Sequence, residues 1–305
     1  TTVGGITLSR VSGFTNSQGL ITTQVSAGTV PTPVRVTAVA QMTIDGEVVE
    51  IKTQSDVLSI NTGLPEQRSM TIAASVVNPE ADRFNGETST INVWLADNFN
   101  NPVPDGTTVN FTTEGGTIQP SCVTLDGNCN VTWTSAEPRV DDHRITILAT
   151  AVGHESFFDT NGNNIFDEAD GDAITDRALS SGLTNHGPEI SGFLDMTDAW
   201  RDDNENGDYD AGEIFLDFSD TGDFTVENGL FNGPQCEGSK CAPEGNRAIH
   251  VRKAMVLIMS GSQADYVLTN NDGSVEYERP SGTVNPIPDI ADGGAQGFTF
   301  NFSDL

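Results

Sequence analysis

Basic residues are few in this 305-residue chain: 14 Lys and Arg stand against 44 Asp and Glu, a formal net charge of -30. Nucleic-acid binders draw their affinity mainly from Lys and Arg on phosphates, so the balance argues against that class, and no basic patch is visible. Histidine is scarcer still, with His143, His154, His186 and His250 the only four. The stretch "HESFF" lacks the second histidine of an H-E-x-x-H zinc site, and no G-x-S-x-G elbow occurs, so no catalytic residue is named and a non-enzyme is expected. Spacing can neither single out nor dismiss a glycosidase-type carboxylate pair, because acids are so abundant in one segment. Apolar runs long enough to span a membrane are missing, as is a signal peptide. The chain opens "TTVGG" without methionine, which reads as a processed or excised piece.

Cysteine is limited to four residues in two local pairs, Cys122 with Cys129 and Cys236 with Cys241. Zinc would want CxxC spacing or neighbouring histidines, which neither pair has. Two short-loop disulfides are therefore expected, and with them an oxidising, extracytoplasmic compartment. The "LDGN" turn between the first pair should bring two hairpin strands face to face.

Helical periodicity is also rare. What fills the chain is alternation with β-branched residues, as in "TINVWLAD", "TTVNFTT", "NVTWTS", "RITILATAV", "IHVRKAMVLIM" and "FTFNF", separated by turns such as "NNPVPDG". Short strands with frequent turns predict an all-β chain built on antiparallel β-sandwiches. Internal repeats refine this. "TTVGGITLS" parallels "TTVNFTTEGGTI", "FTNSQGLITTQVSA" parallels "VTLDGNCNVTWTSA", "VRVTAVA" parallels "RITILATAV", and "FTFNFSDL" parallels "INVWLADN". Residues 1–52 thus read as the second half of a sandwich and 53–262 as a complete copy with an insertion at about 153–247. Residues 263–305 read as the first half of a further copy. The two halves together make one unit, so the partners expected are neighbouring copies or adjacent domains joined head to tail.

The run "LADNFNNPVPDGTTVNFTTEGGTI", with the cysteine-bounded turn and "TWTS" after it, resembles the bacterial immunoglobulin-like domain group 1 of invasin and intimin. The resemblance covers about residues 56–152. It implies tandem immunoglobulin-like sandwiches forming a rod on the outer surface of a Gram-negative bacterium, with a surface receptor or polysaccharide as a possible target. The long insertion departs from that pattern, and insertions at strand ends are where such folds place function.

Residues 154–228 hold 20 acidic residues against Arg177 and Arg201 alone. Counter-ions are needed for such a segment to become compact, divalent cations being the economical answer, unless it is a disordered acidic insert. Three twelve-residue stretches carry the oxygen spacing of a calcium loop, with ligands at positions 1, 3, 5, 7, 9 and 12. In "DDNENGDYDAGE" these are Asp202, Asn204, Asn206, the carbonyl of Asp208, Asp210 and Glu213, with Gly207 permitting the turn. In "DTNGNNIFDEAD" they are Asp159, Asn161, Asn163, the carbonyl of Ile165, Asp167 and Asp170, with Asn164 replacing the glycine. In "DFSDTGDFTVEN" they are Asp217, Ser219, Thr221, the carbonyl of Asp223, Thr225 and Asn228, a set poorer in charge and expected to bind more weakly. Phe166, Tyr209 and Phe224, at position 8, read as core anchors. The loop at 159–170 follows a strand, and only Ile214 to Leu216 separate those at 202–213 and 217–228, so these are not EF-hands. They resemble the calcium boxes of dockerins and thrombospondin type 3 repeats. Two functions fit: a calcium-stiffened adhesive or structural surface protein, or a spacer with a dockerin-like docking module for a secreted hydrolase complex.

Overall fold

The computed structural model describes residues 5–27, 32–44, 46–60, 63–175, 180–183, 191–261, 265–270, 275–279 and 298–303. The chain is all-β, as expected, with antiparallel ladders throughout its larger sheets. At the N-terminal side β1 (Thr7–Leu8) pairs with β2 (Val25–Ser26), β3 (Thr32–Val34) with β6 (Leu58–Ile60), and β4 (Thr37–Ile44) with β5 (Glu47–Gln54). Strands β3 to β6 form one long hairpin whose turn contains Gly46 at φ 87°. The ladder runs on to Ile60, past the boundary expected at residue 52.

The central unit holds the main core. One sheet orders β10 (Thr117–Ile118), β12 (Asn128–Thr134), β8 (Thr88–Leu95) and β7 (Met70–Ala74); the other orders β11 (Ser121–Val123), β9 (Thr108–Thr113), β13 (Arg144–Gly153) and β18 (Ile249–Ile258). Alternation in the sequence becomes alternation in burial: Ile91, Val93 and Leu95 of β8 and Val131 and Trp133 of β12 all face one apolar cluster. Val109, Phe111, Ile145, Ile147 and Val251 of the second sheet join the same cluster, so the two sheets enclose a single core. Each fully buried side chain of this kind stabilises by about 1.5–3 kcal/mol. Gly127 makes the turn into β12 at φ 72°, where an added Cβ would meet the Leu95 carbonyl at 2.8 Å.

Both disulfides form as paired in the sequence, with Cα separations of 6.0 Å for Cys122–Cys129 and 5.7 Å for Cys236–Cys241. The first does not join neighbouring strands of a hairpin, as the "LDGN" turn suggests. Cys122 lies on β11 and Cys129 on β12, which belong to different sheets, so the bond ties the two layers together.

Strands β13 and β18 pair over ten residues, from Arg144↔Ile258 to Gly153↔Ile249. This hairpin repeats the one made by β3 to β6, but where the first turns at Gly46 the second opens into residues 154–248. The intervening segment then folds back. Thr146, Leu148 and Thr150, on the outer face of β13, are 1–2% exposed, as buried as Ile145 and Ile147 on its inner face. Burial on both faces accounts for the absence of any charged side chain from "ITILATAV", since a covered sheet has no solvated side.

The described residues of the insertion pack around their own small core, unlike a disordered acidic tract. Phe157, Phe166, Phe193 and Phe231 cluster beside Cys236, with edge-to-face ring contacts such as Phe166–Phe193 at 4.9 Å. Its strands are minimal: β14 (Ala173–Ile174), β15 (Phe193–Leu194), β16 (Ala199–Trp200) and β17 (Phe215–Leu216). Beyond the central unit, β19 (Asp265–Asn270) pairs with both β20 (Val275–Arg279) and β21 (Phe298–Ser303).

Candidate metal loops

The three acidic loops begin on one shared hydrogen-bond frame. Position 1 comes first: Asp159 accepts from the backbone N–H of Asn163 and Asn164, Asp202 from Asn206 and Gly207, and Asp217 from Thr221 and Gly222, at 2.7–3.2 Å. Position 6 is left-handed each time, with φ 64° at Asn164, 82° at Gly207 and 82° at Gly222. Asparagine tolerates that geometry better than other residues with a Cβ, which explains why it can stand where the other loops have glycine.

In the first two loops the amides at positions 3 and 5 converge on the carboxylate at position 9. Asn161 and Asn163 donate to Asp167 Oδ2 at 3.0 and 2.9 Å; Asn204 and Asn206 donate to Asp210 Oδ2 at 2.8 and 2.7 Å. These bonds hold the carboxyls of Asp167 and Asp210 below the usual range, the Ala169 N–H being the larger cause for Asp167. Position 12 closes each loop by accepting from positions 2 and 9: Asp170 from Thr160 and Asp167, Glu213 from Asp203 and Asp210. Asp208 and Ile165 occupy the turn, their N–H groups donating to the side chains of Asn206 and Asn163.

The third loop departs from its expected ligand set. Its position 12, Asn228, does not close it; the Asn228 N–H donates to Asp195 instead. The closing acceptor is Asp198, which takes the N–H of Phe218 at 3.2 Å and of Thr225 at 2.9 Å, positions 2 and 9 of the loop. Asp198 precedes the loop in sequence and reaches it because β16 pairs with β17. Thr221 Oγ1 accepts from the Asp223 N–H at 3.4 Å and donates to its carbonyl at 2.8 Å, while Ser219 is exposed.

The position-8 residues are anchors, as the sequence suggests. Phe166 is fully buried, and Tyr209 stacks on Phe224 with centroids 4.0 Å apart, joining the second loop to the third. The second loop is also fastened to the central unit. Arg201 donates to the Thr113 carbonyl at 2.6 Å while pairing with Asp203, Thr146 donates to the Asp202 carbonyl at 3.0 Å, and Arg144 pairs with Glu205.

Burial sets the electrostatics of this corner. Desolvation pushes Asp202 and Glu213 up, opposed by the backbone N–H groups they accept. Glu114, on the neighbouring loop of the central unit, is pushed up to about 7 from an ordinary 4.5, first by burial and further by Asp203. Its folded value lies above its unfolded one, so the native state holds the extra proton between pH 4.5 and 7, and stability falls as pH rises through that window. Glu114→Gln should therefore stabilise the protein at pH 8, by on the order of 1 kcal/mol given the partial exposure, and give no gain near pH 4.5. Urea unfolding midpoints at the two pH values test this.

Among the described residues, no three His, Cys, Asp or Glu side chains gather as a metal-binding group. The donor sets are mixed, with carboxylates at positions 1, 9 and 12 and amides at 3 and 5 in the first two loops, and a carboxylate at 1 with hydroxyls at 3, 5 and 9 in the third, which is oxygen chemistry suited to a hard cation. His154 is buried with Nδ1 2.7 Å from the Glu155 carbonyl, and burial pushes both it and His250 down; His186 lies outside the described residues. No helix among the described residues is long and apolar enough to cross a membrane. Comparison with known proteins returns no match: no protein-family model, no curated protein and no solved structure matches this chain.

Proposed function

We propose that this chain is an extracellular structural or adhesive surface protein of the bacterial immunoglobulin-like kind, in which calcium held by the insertion stiffens a tandem stalk or fibre. The observation that carries the reading is the shared frame of the loops: the backbone N–H groups of positions 5 and 6 meet the position-1 carboxylate in residues 159–170, 202–213 and 217–228 alike. Such a frame aims side-chain oxygens inward from a tight turn, the arrangement an oxygen-seeking divalent ion requires. Asp202 is fully buried, and Glu213, partly buried beside it, is raised first by burial and further by the Asp202 charge; a cation would relieve both desolvation and repulsion. In the third loop Asp198 joins Asp217 as the charged ligand in place of Asn228. Loop 2 lies between the strands β16 and β17, which favours this reading over a dockerin-like module, whose loops are followed by helices. The disulfides fit an oxidising location outside the cytoplasm.

Calorimetric titration with calcium, followed by thermal unfolding with calcium and with chelator, tests the proposal. Each occupied loop should add about 2.7 kcal/mol once free calcium reaches a hundredfold its Kd. Asp202→Ala should remove one binding event, and Asp198→Ala should weaken the third loop as much as Asp217→Ala does. Superimposable unfolding traces with and without calcium would refute the reading.

A further inference from the structure

We propose that the cleft between the start of β7, the turn after β8 and the first residues of the insertion binds a neutral sugar ring, one residue of a glycan. The inference deepens the adhesive reading above by giving it a site, and rests on that reading only for where such a glycan is met.

The cleft has a volume of about 450 Å³, within the range of about 300–1,000 Å³ usual for small-molecule sites. Three separate stretches of chain wall it: Glu66 to Ser69 before β7, residues 98–100 after β8, and residues 157–159 where the insertion begins. Each wall is fixed from behind. Glu66 N–H donates to the Ala96 carbonyl at 3.0 Å and Ala96 N–H to the Ser69 carbonyl at 3.1 Å, which ties the first wall to the second. Asp97 shapes the turn: its Oδ1 accepts from the N–H groups of Phe99 at 2.9 Å and Asn101 at 3.0 Å, and its carbonyl accepts from Asn100, which takes φ 60°. On the third wall Phe157 is buried in the aromatic cluster and Phe158 N–H donates to the Gly192 carbonyl at 2.9 Å. Arg68 N–H donates to Ser156 Oγ at 3.1 Å, which joins that wall to the first. A site on elements already held in place gives up little freedom when it is filled.

What the walls leave unpaired says what fits between them. Glu66 is 3% exposed, yet its carboxylate accepts no hydrogen bond from any described residue. Asn98 Oδ1 is buried and likewise has no partner. Buried acceptors are costly to leave unmade, so both call for donors from whatever enters the cleft. The Arg68 guanidinium, 4.8 Å from the centre of the Phe158 ring, donates to no described acceptor and offers N–H groups to the same space. A hydroxyl both donates and accepts, so a ring bearing several of them answers all three side chains. Phe99 supplies the apolar part: half-buried on the turn and in no aromatic pair among the described residues, it is a plate for the C–H face of such a ring.

Charge argues for a neutral occupant. Arg68 opposes a cation and Glu66 an anion, while both oxygens of Asp159 are already taken by the N–H groups of Gly162, Asn163 and Asn164. The amides of Asn98 and Asn100 and the hydroxyl of Ser69 add polar surface without charge. Free amino acids, neutral overall but carrying both charges, are the contrasting probe.

Saturation-transfer NMR on the full chain, with calcium present, tests the site against glucose, galactose, mannose and N-acetylglucosamine, and against free serine and phenylalanine. Transfer to at least one sugar is expected, with a millimolar Kd, and none to the amino acids. Asn98→Ala and Phe99→Ala should each weaken sugar binding about tenfold or more, and Val226→Ala, which does not line the cleft, should leave it unchanged. Because the Asn98 side chain makes no hydrogen bond to a described residue, Asn98→Ala should also leave thermal unfolding unchanged, which separates lost binding from lost folding. No transfer to any of the four sugars overturns the proposal, as does equal transfer to the amino acids or sugar binding that both variants leave intact. These readouts are independent of the calcium-dependent unfolding traces, so a cleft that takes no sugar is told apart from a stalk that takes no calcium.

Discussion

Alanine in place of Arg252 is expected to cost about 3–5 kcal/mol, because it strands several buried acceptors at once. Arg252 sits on β18 with none of its surface exposed. Its guanidinium donates to the carbonyls of Ser180 at 2.6 Å, Thr197 at 2.8 Å and His250 at 3.1 Å, and to Thr197 Oγ1 at 3.1 Å. It lies 5.8 Å from the centre of the Trp200 ring. Burial pushes its pKa down to about 9, against the opposing fields of Glu155 and Asp198, so the group stays charged at neutral pH. The side chain is thus the rivet between the central unit and the insertion: its strand belongs to one, and its partners Ser180 and Thr197 belong to the other. Hydrogen exchange should show the loss locally, with residues 193–232 of Arg252→Ala losing protection while β8 and β12 keep theirs. Uniform loss across both would show that the two regions unfold as one, and an unfolding free energy within 1 kcal/mol of the unmodified chain would contradict the argument. Lysine should rescue only partly, having a point charge where the carbonyls are arranged for a planar fork.

Phe231→Ala should be comparably damaging, at about 3–5 kcal/mol, since truncating a buried phenylalanine loses both transfer energy and packing. Phe231 contacts three of its neighbours in the aromatic cluster, Phe157, Phe166 and Phe193, at 5.0–5.8 Å between centroids. It also bridges to Cys241, so the small disulfide loop is pinned against the same ring. Few other apolar side chains are available to collapse into the gap, which places the cost at the upper end of the range. Near-ultraviolet circular dichroism during urea unfolding should lose its aromatic signal earlier than in the unmodified chain. Val226→Ala, at a position 53% exposed in the same segment, serves as control and should change stability by less than about 0.5 kcal/mol.

The sequence by itself determined what is local in this protein. Alternation over "TINVWL" set the buried face of β8, since in a strand neighbouring side chains point to opposite sides whatever surrounds them. The loop frames were legible for the same reason: a twelve-residue turn is closed by its own oxygens, so Asp159, Asp170, Asp202 and Glu213 were readable from spacing. Cysteines five and seven residues apart had few other partners to choose. Only the tertiary structure decided what comes from far along the chain. Asp198 closes the third loop because the pairing of β16 with β17 carries it there, and no spacing within 217–228 contains it. Cys122 and Cys129 were paired correctly but assigned to neighbouring strands, because a turn sequence does not say which sheet each arm will join. Nothing in the sequence around Arg252 marks it out; its burial follows from the insertion folding back over that face, and its guanidinium there finds acceptors at Thr197 and Ser180, 55 and 72 positions away.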